Sequence, residues 1–244
     1  MNTIGREFME MTTYRYLGES DQQKGLAQPA LEMPCDPETP LIDLPSAGET
    51  GTSDITLKNA IEERRSIRRY DKQPLNLEEL AFLLWCTQGV QTENPNATFR
   101  TVPSAGARHA LETYLLINRV EDLKPGLYRY LALSHTLAEV NTGKKVRDQV
   151  LAGCLGQGFV KTAAATFVWA ADIKRMAWRY GERGYRYIHL DAGHVCQNLY
   201  LAAAAIDCGA CAIAAFDDAL MNNTLGLDGI QQFTVYIAAA GKKA

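Results

Sequence analysis

The sequence lacks the surplus of positive charge that binding to a polyanion requires. Its 25 basic and 28 acidic residues leave a net charge of −3. General nucleic-acid binding depends on neutralising many phosphates with Lys and Arg. We therefore expect no nucleic acid among its partners, although this composition allows a small, local anion site.

Long uncharged hydrophobic segments are also missing. The most apolar stretches are short or are interrupted by Lys161, Asp172 or Asp207, whereas a membrane-spanning helix needs about 20 apolar residues. The first 13 residues contain no hydrophobic core of the kind found in signal peptides. We therefore expect no membrane segment and a cytoplasmic protein.

The six cysteines do not predict a disulfide-stabilised domain. A chain of 244 residues, 47% of them hydrophobic, can bury a sizeable core without cross-links. Cys208 and Cys211 have the spacing of a redox dithiol, but an apolar strand rather than a helix is predicted after them. We expect small, reduced core residues here.

Candidate metal ligands and nucleophiles are few. His189 and His194 lie five residues apart, which fits one face of a helix poorly, and their nearest carboxylate is Asp191. Packing or hydrogen bonding explains them better than a metal does. We find no catalytic triad, and we predict neither a metal site nor a catalytic side chain.

What the sequence does contain is a dense arginine cluster, residues 64–69. Four arginines and Ser66 follow a short predicted helix that starts at Thr56. Guanidinium groups bind phosphate through charge-assisted hydrogen bonds, and a serine adds a compact donor. A solvated basic helix end is the commoner situation, because cations suit a helix C-terminus. The cluster by itself leaves both interpretations open.

The N-terminal residues 1–52 differ from the rest of the chain. They hold five of the nine prolines, which disfavour long helices: Pro29, Pro34, Pro37, Pro40 and Pro45. We predict an extended arm over residues 1–52, which Leu41, Ile42 and Leu44 could dock onto a domain formed by residues 53–244. A disordered tail is the alternative.

Helices and strands are predicted along most of the remaining chain. Asn76 and Glu79 predict a capping box at the start of a helix that ends at Gly89. Further helices are expected at residues 144–155, 187–206 and 217–226. Strands are expected at residues 111–120, 126–130, 137–140, 163–172, 212–216 and 233–240.

Two glycine-containing segments attract attention as ligand-binding loops. Residues 101–109 combine proline, serine and glycine, which permits a close backbone approach to a ligand but also suits an ordinary connection. Residues 153–158 hold three glycines but follow a helix rather than a strand, so they are not a dinucleotide-binding motif. Within them Gln157 is the polar side chain of interest.

Taken together, these elements resemble the nitroreductase-like FMN oxidoreductases, and most closely their azoline (SagB-type) dehydrogenase branch. The resemblance covers most of residues 3–243. It is carried, in the order expected of that family, by residues 64–68, 103–106, 155–157, 189–194, 212–217 and 241–242. It implies an α+β fold, with a mixed or mainly antiparallel sheet flanked by helices. It also implies an obligate homodimer with two FMN sites at the interface.

The resemblance also implies a role for each matched residue. Arg64 and Ser66 would hold the phosphate and ribityl end of the flavin, with Lys242 as a second phosphate cation. Arg68 would reach the pyrimidine edge, where a positive charge favours the reduced flavin. The complete predicted cofactor set is Arg64, Arg65, Ser66, Arg68, Pro103, Ser104, Ala105, Gly106, Gln157, Ala212, Ile213, Ala214, Ala215, Gly241 and Lys242.

Within this set, residues 103–106 would come from the other subunit, Gln157 would bind the ring or ribityl chain, and residues 212–215 would lie along the ring. Arg65 and Arg69 are also candidates for plain surface charge. Related reductases can carry a polar or acidic residue on the ring-lining strand, whereas residues 212–215 are all apolar here. The strand therefore departs from the pattern of those reductases.

Three functions follow as hypotheses. The first is an FMN-dependent reductase that uses NAD(P)H to reduce nitro compounds, quinones or similar small molecules by a ping-pong mechanism. The second is an FMN-dependent dehydrogenase or oxidase of azoline-containing peptides. The third is a dimeric binding protein without catalysis, in which the arginine cluster is a plain anion or partner site. The additional catalytic residues of peptide-oxidising relatives are not recognisable here, so we prefer the first.

Overall fold

A seven-stranded antiparallel sheet forms the centre of the fold. The computed structural model describes residues 3–49, 51–52 and 54–244. The sheet contains β1 (Leu41–Asp43), β4 (Leu111–Ile117), β5 (Gly126–Leu131), β6 (Thr136–Asn141), β7 (Ala165–Asp172), β8 (Cys208–Ile213) and β9 (Gln232–Lys242). Their order is β1-β6-β5-β4-β7-β9-β8, and all neighbours pair antiparallel. A separate hairpin joins β2 (Val90–Asn94) and β3 (Ala97–Arg100).

Helices cover both faces of this sheet, which confirms the α+β architecture. The described residues form α1 (Ile4–Met11), α2 (Leu57–Glu63), α3 (Leu77–Gln88), α4 (Val146–Gly153), α5 (Phe159–Thr162), α6 (Ile173–Tyr180), α7 (Gly184–Ala205) and α8 (Asp218–Leu225). Helices α3 and α7 bury side chains in one core, and α4 and α8 in another. Leu115 and Leu116 belong to different cores because successive strand residues point to opposite faces.

Local sequence signals explain where several helices begin. The Thr56 hydroxyl accepts a hydrogen bond from Asn59 N at 3.2 Å, so α2 starts where expected. Asn76 Oδ1 accepts from Glu79 N at 2.7 Å, while Glu79 Oε2 accepts from Asn76 N at 3.1 Å. The predicted capping box is therefore confirmed, as are the end of α3 at Gly89 and the Asp217 cap of α8.

One strand prediction is wrong, and some elements were not predicted. The strand expected at residues 212–216 is β8, which starts at Cys208 and ends at Ile213 because its pairing with β9 ends there. Ala214 and the residues after it form a loop that leads to the Asp217 cap. Helix α6 and the β2–β3 hairpin lie in stretches for which the sequence analysis made no prediction.

The N-terminal segment, described over residues 3–49, packs against the sheet and its helices. It is not the extended arm that was predicted, because residues 4–11 form α1, and the prolines that disfavour helix begin only at Pro29. Strand β1 extends the sheet by pairing with β6. Of the three apolar residues expected to dock, Ile42 packs against the core and Leu44 is buried in it, whereas Leu41 is 55% exposed. The Glu32 carboxylate accepts a backbone hydrogen bond from Ala132 at 2.6 Å, and Arg129 donates to the Pro34 carbonyl at 2.9 Å. The proposed boundary at residue 52 stays a prediction.

A buried ion pair fixes this segment to the centre of the sheet. Arg175 of α6 pairs with Glu112 of β4, and each side chain is only 3% exposed. Arg175 also donates to the Leu31 carbonyl at 3.0 Å, and Glu112 accepts from Met33 N at 2.8 Å. Buried charges need such complete pairing, because an unpaired one costs several kcal/mol.

Within the described residues, the helices are too short or too polar to cross a membrane. The cytoplasmic location stays a prediction from the sequence.

The capping box gives a stability prediction for the start of α3. Replacing Asn76 by Ala should lower the free energy of unfolding by about 1 kcal/mol, because the Glu79 N–H loses its acceptor. Chemical denaturation monitored by circular dichroism measures this change. Asn59→Ala is the matched control, since only the backbone of exposed Asn59 takes part in its cap. An equal loss in both variants would contradict the capping role.

Candidate active site

The arginine cluster lies along the free edge of β8. Ser66 forms a parallel bridge with Ala210, and Ile67 N donates to the Ala210 carbonyl at 2.9 Å. Gly209 makes this approach feasible, because a Cβ atom there would lie 2.6 Å from Cβ of Ile67. The segment is therefore held by backbone hydrogen bonds to the sheet and is not a freely solvated helix end.

Tyr200 of α7 connects the cluster to the end of β8. Its hydroxyl lies 3.0 Å from Ser66 Oγ and accepts a hydrogen bond from Ala212 N at 2.8 Å. The Arg64 guanidinium lies 5.4 Å from the centre of the Tyr200 ring, within the range of a cation–π contact. Three predicted site residues thus meet on one side chain that the sequence analysis missed.

A small basic cavity of about 90 Å³ adjoins this group. Arg64, Arg65 and Lys243 line it together with Glu63, Tyr200 and backbone at residues 208–210. The Lys243 ammonium lies 2.6 Å from Asp207 Oδ1, in an exposed pair. Several cations beside one hydroxyl suit an anion of phosphate size.

The two lysines at the end of β9 have different surroundings. Lys242 pairs with Glu79, the carboxylate that also caps α3, and its side chain is only 18% exposed. Lys243 lines the basic cavity, as expected if consecutive strand residues point in opposite directions. The role of Lys242 as a phosphate cation stays a prediction, and Lys243 is a further cation that the sequence analysis missed.

A second group lies at the far end of the cluster. The Arg68 guanidinium lies 6.0 Å from the centre of the Phe159 ring. Two residues before Phe159, Gln157 Nε2 donates to the Ala215 carbonyl at 2.9 Å and to the Cys154 carbonyl at 3.1 Å. Gln157 thereby ties the loop after β8 to the end of α4.

The apolar ring-lining candidates differ in exposure. Ala214 and Ala215 are exposed, Ala212 is half-buried, and Ile213 packs in the core between the sheet and α4 and α8. Gly241, opposite Gly209 on β9, is buried as well, and a Cβ there would lie 3.0 Å from Ala164 N.

The loop at residues 103–106 is tightly folded against α6 and α7. Ser104 Oγ donates to Asp191 at 2.6 Å and accepts from His109 N at 2.9 Å, while Ala105 N donates to Asp191 at 3.3 Å. Burial raises the pKa of the Asp191 carboxyl, and these hydrogen bonds oppose that effect. Gly106 adopts a φ of +59°. Pro103 precedes these contacts and donates no backbone hydrogen bond, since it lacks an N–H.

Within one chain, this loop and the arginine cluster contact different parts of α7. Asp191 holds the loop and Tyr200 holds the cluster, nine positions apart. At 1.5 Å per residue, this spacing corresponds to about 14 Å along the helix axis. Residues 64–66 and Ala212 therefore lie together, and Gln157 contacts Ala215. Residues 103–106 lie at a different part of α7.

The histidines and cysteines do not add a second site. Among residues 3–49, 51–52 and 54–244, no group of three or more metal-ligating side chains occurs. His189 and His194 are exposed on α7. Cys208 and Cys211 are buried within β8, and burial raises the pKa of the Cys208 thiol to about 12, so it stays protonated at neutral pH.

The α+β fold, an antiparallel sheet flanked by helices, is that of the nitroreductase class. Residues 61–242 match the nitroreductase family, and the chain belongs to that family. It is 33% identical over 206 residues to MJ1384, a protein of Methanocaldococcus jannaschii assigned to the nitroreductases, covering 84% of this chain and 98% of that protein. A solved nitroreductase-type protein from Ralstonia eutropha has a TM-score of 0.69 at 25% identity, covering 90% of this chain and 95% of that one.

Other relatives are named for peptide processing. The microcin B17-processing protein McbC of Escherichia coli is 28% identical over 165 residues, which cover 65% of this chain. This chain spans 59% of the length of McbC. A nitroreductase-type structure from Desulfovibrio desulfuricans, solved in complex with FMN, shares the fold with a TM-score of 0.54 at 21% identity, covering 79% of this chain and 88% of that one.

A prediction for the loop at residues 103–106 distinguishes a steric clash of an added side chain from the cost of a positive φ. Gly106→Ala should lower both the free energy of unfolding and the content of bound flavin, because its Cβ would lie 2.4 Å from the Tyr180 hydroxyl. Gly156 also has a positive φ, of +73°, but nothing lies within 4 Å of its Cβ position. Gly156→Ala should therefore cost only the conformational penalty of about 1 kcal/mol.

Thermal unfolding and the ratio of flavin to protein absorbance measure the two effects. If both alanine variants lost the same stability and retained the same flavin, the steric role of Gly106 would be refuted.

Proposed function

We propose that the protein is an FMN-dependent oxidoreductase that takes hydride from NAD(P)H and passes it to a nitro, quinone or similar small-molecule acceptor. The observation that carries the proposal is the alignment of Arg64 and Ser66 along the β8 edge, where Tyr200 joins both to Ala212. FMN, when bound, supplies the hydride acceptor and donor. The chain's own task is to bind and orient it.

The donor set fits the phosphate end of FMN. A phosphate monoester carries close to two negative charges at neutral pH. Arg64, Arg65 and Lys243 supply cations around the 90 Å³ cavity, and the nearby Ser66 supplies a hydroxyl. Arg65 is directed by two hydrogen bonds of 2.8 Å, to the carbonyls of Glu62 and Arg64. These contacts hold the guanidinium on the backbone, and the place of Arg65 in the lining of the cavity supports a phosphate role for it rather than plain surface charge.

The remaining residues fit the flavin ring. Arg68 places a positive charge near Phe159 and the end of β8, where it would stabilise negative charge on the pyrimidine side. Ala214 and Ala215 are small and exposed, so one face of the ring would stay open. NAD(P)H and the acceptor would then use the same surface in turn, which is a ping-pong mechanism.

A homodimer is part of this proposal. Helix α7 carries a stripe of exposed or half-buried residues at spacings of three and four: Leu190, Gly193, His194, Gln197 and Leu201. No heavy atom lies within 4 Å of the Cβ position of Gly193, so a second helix could approach closely there. Pairing of two copies along this stripe would bring residues 103–106 of one protomer towards the cluster of its partner.

A second candidate function is the oxidation of azoline-containing peptides. It is favoured by the relatives named for toxin processing, McbC and the trifolitoxin protein TfxB, of which this chain spans 59% and 46%. Incubating the purified protein with FMN and an azoline peptide tests it, with mass spectrometry to detect the loss of two hydrogens. An unchanged peptide mass in a protein that oxidises NAD(P)H would exclude peptide oxidation and retain the first proposed function.

The role of Arg68 gives a spectroscopic prediction. The purified protein should be yellow, and NADH or NADPH should bleach the flavin absorption. Arg68→Ala should weaken FMN binding or lower its reduction potential by the equivalent of about 1–3 kcal/mol, the size of one charge-assisted contact. Arg69→Ala is the matched control, because neighbouring Arg69 is also exposed and is assigned no cofactor contact.

Spectra of the three proteins during titration with FMN and with reductant measure these effects. A colourless protein that ignores added FMN would refute the proposal. A protein that binds FMN but never turns over with any reductant and acceptor would be the non-catalytic binding protein.

The shared site predicts complementation between two defective chains. One chain carries Arg64→Ala and the other Gly106→Ala, so that each homodimer has two damaged sites. If the loop and cluster come from different protomers, the heterodimer regains one intact site of two. A 1:2:1 mixture should then recover up to about a quarter of wild-type activity.

Co-expression with two affinity tags isolates the heterodimer, which should show up to about half of wild-type activity because one of its two sites is intact. Its flavin content and NAD(P)H oxidation are then measured. Activity no higher than the mean of the two parents would exclude a site built from both chains.

A further inference from the structure

Tyr200 stands between a backbone donor and the Ser66 hydroxyl. The Ala212 N–H can only donate, so the Tyr200 oxygen accepts at 2.8 Å. The hydroxyl hydrogen of Tyr200 is then available for Ser66 Oγ at 3.0 Å. The bond between the two hydroxyls can run in either direction, and in one of them Tyr200 donates to Ser66.

The direction matters for what Ser66 can do. When Ser66 Oγ accepts from Tyr200, its own hydrogen remains free to donate. Within the described part of the chain, Tyr200 is the one hydrogen-bond partner of the exposed Ser66 hydroxyl. In that direction the free hydrogen is available to an external acceptor, and an anion is the strongest such acceptor.

The ring of the same tyrosine also supports a cation. The Arg64 guanidinium lies 5.4 Å from the ring centre, and both side chains are half-buried. This contact limits the range of positions that the flexible Arg64 side chain can take. One tyrosine thus restrains both of the donors assigned to the phosphate end.

We propose that Tyr200 is a positioning residue for a phosphate monoester, acting through the chain Ala212 N–H to Tyr200 O–H to Ser66 O–H. This inference rests on the proposed function, in which the phosphate is that of FMN. It adds a role for a side chain that also lines the basic cavity. Loss of the Tyr200 hydroxyl should weaken binding of the phosphate specifically, because the chain of hydrogen bonds ends on Ser66.

A comparison of FMN with riboflavin, which lacks the phosphate, tests this role. Tyr200→Phe keeps the ring and the Arg64 contact but removes the hydroxyl. We expect FMN to bind about tenfold more weakly, the change for one lost hydrogen bond to a charged group, with riboflavin binding unchanged. Tyr185 lies on the same helix, but its ring stacks on that of Phe233, with 6.1 Å between the ring centres. Tyr185→Phe should therefore change the binding of neither FMN nor riboflavin.

A double-mutant cycle tests whether Tyr200 acts through Ser66. Ser66→Ala should show the same FMN-selective loss, and the double variant Tyr200→Phe with Ser66→Ala should bind FMN no more weakly than Ser66→Ala alone. Fluorescence titration measures each dissociation constant, and circular dichroism checks folding. If Tyr200→Phe does not fold, the comparison of FMN with riboflavin in Ser66→Ala still tests whether Ser66 binds the phosphate.

The outcomes separate the two proposals. Equal losses for FMN and riboflavin, or additive losses in the double variant, would overturn the positioning role while leaving the flavin function intact. Wild-type protein that binds neither ligand would overturn the proposed function and this inference with it.

Discussion

The site depends on one close approach, between the arginine cluster and the free edge of β8. A strand edge has unpaired backbone groups, and residues 66–67 satisfy part of them through Ala210. The approach requires Gly209, because any side chain there would collide with Ile67. This backbone contact turns a flexible basic segment into a fixed row of donors. Without it, the arginines would be the solvated helix end that their charge alone suggests.

Helix α7 extends this constraint across the molecule. It is packed in the core through Val195 and Leu199, so its partly exposed residues have fixed positions. Asp191 organises the loop at residues 103–106, and Tyr200 organises the arginine cluster. Within one chain, the loop at residues 103–106 and the arginine cluster cannot come together unless this core helix moves. A second copy of the chain solves this geometric problem, which is why the dimer and the cofactor site belong to a single proposal.

The sequence predicted those parts of the structure that depend on short-range signals. The capping box of Asn76 and Glu79, the Asp217 cap and the long helix α7 follow from local patterns and are observed. The end of β8 was misplaced because it depends on pairing with β9, which is distant in sequence. Tyr200 was missed for a similar reason, since its partners Ser66 and Ala212 come from two other segments. Its one local signal was a polar aromatic residue in an otherwise apolar helical turn.

Lys242, the last residue of β9, and Lys243 after it show why a motif alone cannot assign a ligand. Lys242 and Lys243 are identical in type and adjacent in sequence, and the family resemblance selected Lys242. Strand geometry sends consecutive side chains to opposite sides. Lys242 meets Glu79, which already receives the Asn76 N–H, so its charge is compensated where it is largely buried. Lys243 faces the cavity with Arg64 and Arg65, paired only with the exposed Asp207. Because exposed pairs contribute little stability, Lys243 can exchange this partner for a phosphate at low cost, whereas Lys242 would have to leave Glu79 uncompensated.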